Sequence, residues 1–392
     1  MTPAGRPRVA LVTYSAKPRG GVVHTLAIAE ALHACGQPVC VLALGDPEAG
    51  FFRRVHAPYT IFPAPAHRPT LEERVFAAID ALEAGLRAEA SGYDILHTQD
   101  CIAARAACRV RDAGWPLTVV RTVHHVDDFS SQVLVDCQRQ AILEPDVILA
   151  VSEYWRKRLS ADYGVSAGLV HNGVDARRFR SVSPALAAGL RRAAGATDRR
   201  PLLLAVGGIE PRKGSDTLVR ALSGLKQASH PSPVVAIIGG QSFQDHRPYR
   251  ERVVAMLPDL GLEVGRDIIL LGTVPEDEVP GWYAAADVLA FPSVNEGWGL
   301  AVLEALSAGL PVVTCDLPVF REYLEHDRNA LLVPAGDAGA LRDALARLLA
   351  DPALAAQLRS AGYAVARRFT WRAAAAEHLR CYTELAVARD AP

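Results

Sequence analysis

Two glutamates occupy one short stretch, Asn295–Val313 (NEGWGLAVLEALSAGLPVV). Glu296 sits in a glycine-rich run, and Glu304 lies eight residues further on, inside an apolar segment that reads as a buried helix. A carboxylate among packed apolar residues is costly unless it is paired or hydrogen-bonded. Glu304 therefore has either a partner within the protein or a ligand to meet. It lies just over one turn into the helix, where the dipole favours an anion and a carboxylate could accept from a vicinal diol such as that of ribose. A buried ion pair with Arg212 or Lys213 is the competing reading. Glu296 precedes the helix, where it could meet a hydroxyl or simply favour the helix N-terminus.

A second glycine-rich turn, GGIEPRKGSD (Gly207–Asp216), follows an apolar run. Glycines such as Gly208 let the backbone approach a ligand, and the helix that follows offers free N–H groups and a positive dipole end. Arg212 and Lys213 add two cations, a combination suited to a diphosphate; a solvated surface turn is the alternative. The pattern is neither Gly-x-Gly-x-x-Gly nor a Walker loop, which disfavours NAD and P-loop chemistry. Near the start, AKPRGGVVH places Gly20 and Gly21 at a strand-to-helix turn. RTVHHVDDF ends a predicted strand, with one of His124 and His125 expected to face a ligand. A metal site there is disfavoured, because adjacent residues on a strand point opposite ways and no tetrahedral ligand spacing appears elsewhere. Ser152 lacks the flanking glycines of a nucleophile elbow.

The elements that must hold these residues alternate short β-branched runs with longer Ala/Leu-rich segments. Strands are expected at 9–14, 39–44, 95–98, 117–122, 147–151 and 167–171, with helices over 22–35, 71–90, 102–113 and 153–163. The segment 176–200 reads as a linker with a short helix. The pattern then restarts: strands at 202–206, 234–238, 268–271, 288–292 and 312–314, interleaved with helices that include 216–227, and a helical tail from Phe369. Strand–helix alternation implies α/β architecture with parallel sheets covered on both faces. Two doubly wound domains are expected, with the ligand between them at the strand C-terminal ends. Their boundaries are 1–178, completed by a C-terminal helix at 372–392; a linker at 179–200; and 201–371.

The 392 residues exceed one ordinary core. A net charge of -1 gives no reason to expect nucleic acid. No run approaches a spanning helix, and Val9–Val12 is too short for a signal core. Seven scattered cysteines without a Cys-x-x-Cys pair indicate reduced thiols and a cytoplasmic protein. The Ala- and Arg-rich usage points to a GC-rich bacterial source.

With these residues in place, the chain resembles the retaining GT-B glycosyltransferases of the GT4 family (glycosyl transferases group 1) over nearly its whole length. The most specific element is Glu-x7-Glu, EGWGLAVLE from Glu296 to Glu304. In family order come GGV (Gly20–Val22), DILHTQD (Asp94–Asp100), TVHH (Thr122–His125), VSEYWRKRL (Val151–Leu159), HNGVDARRF (His171–Phe179), PRKGSDTLVRAL (Pro211–Leu222) and VPEDEVPGWYAAADVLAFPS (Val274–Ser293).

The resemblance implies two Rossmann-like domains facing a cleft, a nucleotide-sugar donor and a hydroxyl acceptor that the sequence leaves open. Lys213, with Arg212, would neutralise the donor diphosphate, and Glu304 would bind the ribose. Glu296 would contact the transferred sugar, with Gly297, Trp298, Gly299 and Leu300 offering backbone groups. Gly20, Gly21 and Gly208 would approach the phosphates, Val274 the base, and His124 the anomeric centre or acceptor. The C-terminal helix would return to the first domain. Three positions depart from the family pattern. Gly208-Ile209 replaces an expected arginine, leaving Arg212 as the nearby guanidinium. His124-His125 replaces His-Asp. Trp298 stands where Phe is commoner, which would reshape the sugar pocket.

The resemblance further implies metal-independent, front-face transfer of a hexose-type sugar with cations in place of a metal. Acidic residues in the 71–90 helix and the short basic run 190–200 imply at most weak peripheral membrane contact. Alternatives are a nucleotide-sugar epimerase on the same fold and a non-catalytic binding homologue.

Overall fold

The computed structural model describes residues 6–228, 232–240 and 243–390. The chain forms two compact units. One runs to Gly173 and resumes at Trp371; the other is Val174–Thr370.

The first unit alternates β1 (Val9–Thr13), α1 (Gly20–Ala34), β2 (Val39–Gly45), β3 (Tyr59–Pro63), α2 (Leu71–Glu89), β4 (Ile95–Thr98), α3 (Cys101–Asp112), β5 (Thr118–Val123), α4 (Gln132–Leu143), β6 (Val147–Ala150), α5 (Glu153–Tyr163) and β7 (Ala167–Leu169). The sheet is wholly parallel, in the order β3-β2-β1-β4-β5-β6-β7. β1 is buried at every position, as an inner strand covered on both faces must be. Side chains start the helices where the first N–H groups lack partners: Asp100 accepts from the Ala103 amide, Ser152 from that of Trp155, and Thr70 forms a capping box with Glu73.

The second unit opens with α6 (Ala176–Arg180) and α7 (Pro184–Ala193). It continues through β8 (Leu202–Val206), α8 (Ser215–Ala228), β9 (Val234–Ile238), α9 (Arg247–Ala255), β10 (Ile268–Gly272), α10 (Val279–Ala285), β11 (Val288–Phe291), α11 (Leu300–Ala308), β12 (Val312–Cys315), β13 (Leu331–Val333), α12 (Ala338–Ala350) and α13 (Pro352–Ala366). Its parallel sheet has the order β10-β9-β8-β11-β12-β13. The last helix, α14 (Trp371–Asp390), belongs to the first unit, where Tyr382 is buried and bonds His97 of β4.

Each sheet reverses its strand order at one place, β1/β4 in the first and β8/β11 in the second. In such sheets ligands lie off the strand C-termini at this reversal. The Gly207–Gly214 turn follows β8, and Ser293–Glu296 follows β11.

Several elements differ from the sequence expectation. The segment 176–200 is two helices built into the second unit, because α7 lies on α10: a Cβ at Gly281 would meet Leu190 and Leu186. Two of its arginines are engaged there. Arg191 pairs with Asp287 at 2.9 Å, and Arg200 donates to the Arg266 carbonyl at 2.6 Å. β3, α4 and β13 were not anticipated. Gly20 and Gly21 form the first turn of α1 rather than the turn before it.

Candidate active site

Two glycine-rich segments meet in the second unit. After β8 the chain turns through Gly207 and Gly208 at φ 126° and 70°, where a side chain would be strained. A Cβ at Gly207 would lie 2.5 Å from Lys213 Cε, so the missing side chain makes room for the lysine stem. Gly208 is packed equally tightly, 2.8 Å from the Gly240 carbonyl by the same construction. Lys213 and Arg212 then precede α8, whose first amides are the anion-facing end of a helix.

After β11 the chain brings Ser293 and Glu296 onto the same turn. Ser293 Oγ lies 2.6 Å from Glu296 Oε1 and 3.0 Å from the Arg212 carbonyl, and the Val294 amide donates to that carbonyl at 2.8 Å. Lys213 Nζ reaches Glu296 Oε1 at 2.5 Å, and Arg212 Nη1 lies 3.6 Å from the same oxygen. Arg212 Nε also meets Glu210 at 3.2 Å. Two cations and two carboxylates therefore balance each other. Burial works to raise the Glu296 pKa, but the Lys213 and Arg212 charges and the bonds from Lys213 and Ser293 outweigh it, leaving the carboxylate below its ordinary range. The competing reading of Glu304, a buried ion pair with Arg212 or Lys213, does not hold: Lys213 pairs with Glu296.

Glu296 leads into Gly297, Trp298, Gly299 and Leu300. Gly299 takes φ 88°, and a Cβ there would lie 2.5 Å from Phe320 Cε1. Trp298 is 2% exposed, with its ring 4.8 Å from Tyr323 and 5.2 Å from Phe369. Tyr323 Oη donates to the Trp298 carbonyl at 2.8 Å. The indole therefore packs in an aromatic cluster with Tyr323 and Phe369. Its role is to clamp the strap that starts α11, where Leu300 is the first helical residue.

Glu304, half-buried on α11, accepts from Tyr283 Oη at 2.7 Å. Burial raises its pKa to about 7, against the pull of the Tyr283 bond and of the Arg178 charge. The Arg178 guanidinium of α6 pairs with the Glu276 carboxylate at 2.8 Å and donates to the Glu276 backbone carbonyl at 2.6 Å, which ties it to the loop that carries Val274. Val274 is itself partly exposed. Tyr283, Ser293 and Glu210 had not been singled out from sequence, although Tyr283 and Ser293 lie in the Val274–Ser293 stretch matching the family.

In the first unit His124 follows β5, half-buried, with Nε2 3.3 Å from Gln99 Oε1 and its ring edge-on to His24 at 4.6 Å. Burial, then the neighbouring His125 and Arg121 charges, push its pKa down to about 3, so it is neutral at physiological pH. His125 instead faces Asp127 at 3.4 Å. Gly20 and Gly21 have open space where a Cβ would stand. His97 is a structural histidine, held between Tyr382 Oη at 2.6 Å and Thr122 Oγ1 at 2.7 Å. Among the described residues, no group of three or more His, Cys, Asp or Glu side chains could hold a metal.

The whole fold matches solved structures. A sucrose-phosphate synthase from Thermosynechococcus elongatus superposes with a TM-score of 0.80 at 22% identity, over 98% of this chain and 100% of that one. Anabaena HepE in complex with UDP-glucose gives 0.80 at 21%, over 96% and 100%. The fold is that of the GT-B class.

Residues 18–178 match the model for Glycosyltransferase Family 4, and residues 189–365 the model for Glycosyl transferases group 1. A D-inositol 3-phosphate glycosyltransferase from Xylanimonas cellulosilytica is 31% identical over 329 residues, 78% of this chain and 76% of its own length. A GDP-mannose-dependent α-(1-6)-phosphatidylinositol monomannoside mannosyltransferase from Mycolicibacterium smegmatis is 35% identical over 228 residues, 56% of this chain and 57% of its own. The chain belongs to the GT4-type group 1 glycosyltransferases and is an enzyme of that family.

Proposed function

We propose that this glycosyltransferase moves a hexose-type sugar from a nucleoside diphosphate donor to a hydroxyl acceptor, with retention and without a metal. The observation that carries the reading is the meeting of Lys213 and Arg212, ahead of α8, with Glu296, ahead of α11. The two cations take the diphosphate, with Gly208 and the α8 amides alongside. Glu296 then turns to the sugar hydroxyls, the amides of Gly297–Leu300 hold sugar and phosphate, Glu304 accepts from the ribose and the Val274 backbone borders the base.

In the reaction, the bond from the anomeric carbon to the diphosphate oxygen breaks and the bond to the acceptor oxygen forms on the same face. The acceptor proton passes to the departing phosphate oxygen, and Lys213 and Arg212 stabilise the charge that develops there. His124, neutral, contributes a hydrogen bond at the acceptor or anomeric centre, and Gly20–Gly21 leave room for phosphate. The acceptors named for the relatives, D-inositol 3-phosphate and phosphatidylinositol monomannoside, are the first to try. All seven cysteines are free thiols, which supports a cytoplasmic site of action. No helix among the described residues is long and apolar enough to cross a membrane. The proposed membrane contact is at most weak and peripheral, and strong co-sedimentation with anionic vesicles would overturn it.

The test is a thermal-shift screen in EDTA with UDP, GDP, ADP, dTDP and their sugar conjugates, followed by transfer assays and NMR of the product's anomeric configuration. One base should shift the protein, Glu304→Ala should remove that shift, and Lys213→Ala should abolish transfer in a folded protein. Wild-type transfer by either variant, or an inverted product, would overturn the reading.

A further inference from the structure

Tyr283 on α10 is 1% exposed, and its ring stands edge-on to Phe179 of α6 at 5.3 Å and 90°. Its rotamer is thus fixed by packing, and its hydroxyl reaches Glu304 Oε2 at 2.7 Å. Among the described residues Oε1, the other carboxyl oxygen, has no hydrogen-bond partner, while the residue is only half-buried. One oxygen is therefore tied from within and the other remains available. Two charged groups act on this carboxyl, Arg178 from α6 and Glu276 from the loop before α10, and these bind each other. On α13, Arg359 is engaged with the Gly309 carbonyl at the far end of α11.

A carboxylate can accept from both hydroxyls of a diol, whereas its protonated form gives up part of that capacity. Burial drives Glu304 toward the protonated form, and the tyrosine hydroxyl opposes it.

We propose that Tyr283 is the positioning residue of the nucleoside site: its hydroxyl aims Glu304 and favours its ionised form, presenting Oε1 to the diol of a nucleoside diphosphate. This rests on the reading of Glu304 as the ribose acceptor. Tyr283 itself touches no ligand and acts through Glu304.

The test compares wild type, Tyr283→Phe and Glu304→Gln in the full chain. Calorimetric affinities are measured from pH 6 to 9 for the best-binding ribonucleoside diphosphate and its 2′-deoxy counterpart. Wild type should prefer the ribose form, and that preference should fade as pH falls below about 7. Tyr283→Phe keeps the ring and its packing. It should bind the ribose form roughly tenfold more weakly at neutral pH, bind the deoxy form with a smaller loss, and move the pH midpoint up by about one unit. Purely structural packing would move neither the ribose preference nor the midpoint. A Phe variant with the wild-type preference and pH profile, beside a weakened Glu304→Gln, overturns the role of Tyr283 alone. A Glu304→Gln variant that binds like wild type overturns the Glu304 reading and this proposal with it. Should Tyr283→Phe not fold, a wild-type ribose preference that is flat across the pH range overturns the proposal.

Discussion

Acidification should move the two units in opposite directions. The first unit buries His24, His97 and His378 at 2%, 0% and 1% exposure. Burial lowers all three below the ordinary 6.5, His378 to about 4 and the other two well below. For a base whose folded pKa lies under its unfolded one, the unfolded chain binds more protons between the two values. Stability is therefore full above 6.5 and is lost as pH falls toward the folded value. His124, lowered to about 3, joins them; between pH 7.5 and 5.5 each such histidine loses one pKa unit of stabilisation, about 1.4 kcal/mol, so four lose roughly 5.5 kcal/mol. Asp100 in the same unit is shifted upward by burial, a shift of the opposite sign. In the second unit Glu304, raised from 4.5 to about 7, has the opposite sign: its contribution is full below 4.5 and is lost as pH rises through 7. The same acidification should strengthen that unit by about 2 kcal/mol. Glu296 and Asp267, both lowered, titrate beneath this window. Hydrogen exchange, corrected for intrinsic rates, should show β4–β6 losing protection and β8–β12 gaining it. Protection in β4–β6 that is unchanged or higher at pH 5.5 would refute the argument.

Gly299→Ala combines a left-handed φ of 88° with a Cβ 2.5 Å from Phe320. It should cost about 3 kcal/mol in urea unfolding and weaken donor binding by misplacing the strap; a cost under about 0.5 kcal/mol would show that the strap relaxes freely. His124→Ala should lower kcat while leaving donor affinity within about threefold, since the proposed role of His124 is at the acceptor or anomeric centre. An equal loss in both would move His124 into the donor site.

Much of the fold was legible because inner parallel strands are continuous apolar runs: VALVT and VVAII are buried at every position. β3 escaped because only Ile61 of its five residues is buried, giving an edge strand without a run or an alternation. β13 has three residues, too few for any period. α4 carries Leu134, Cys137, Gln138, Ala141 and Ile142 at helical spacing, but two of these five buried positions, a glutamine and a cysteine, hide the stripe. The helices in 176–200 were masked by arginines whose partners lie on distant elements. In the site, residue types and segments could be read from the glycines and charges. Pairing could not: Lys213 and Glu296 are 83 positions apart, and their contact depends on β8 and β11 being neighbours. The same holds for Tyr283 and Glu304, which look unrelated until α10 and α11 pack together.

The Lys213–Glu296 pair has a consequence for how a ligand arrives. The cationic turn is not a bare charge waiting for a phosphate, because a carboxylate of the chain already holds the place. Entry of the proposed phosphate would then be an exchange of counter-ions, with the net affinity a difference between two partners. Under the proposed donor role of the turn, that exchange would also free Glu296 to turn toward whatever the phosphate carries. A nucleotide without its sugar performs the first half of that exchange and leaves the freed carboxylate unused. If the turn takes the donor as proposed, a sugar-bearing nucleotide and a bare one would then differ in whether the freed Glu296 finds a new partner.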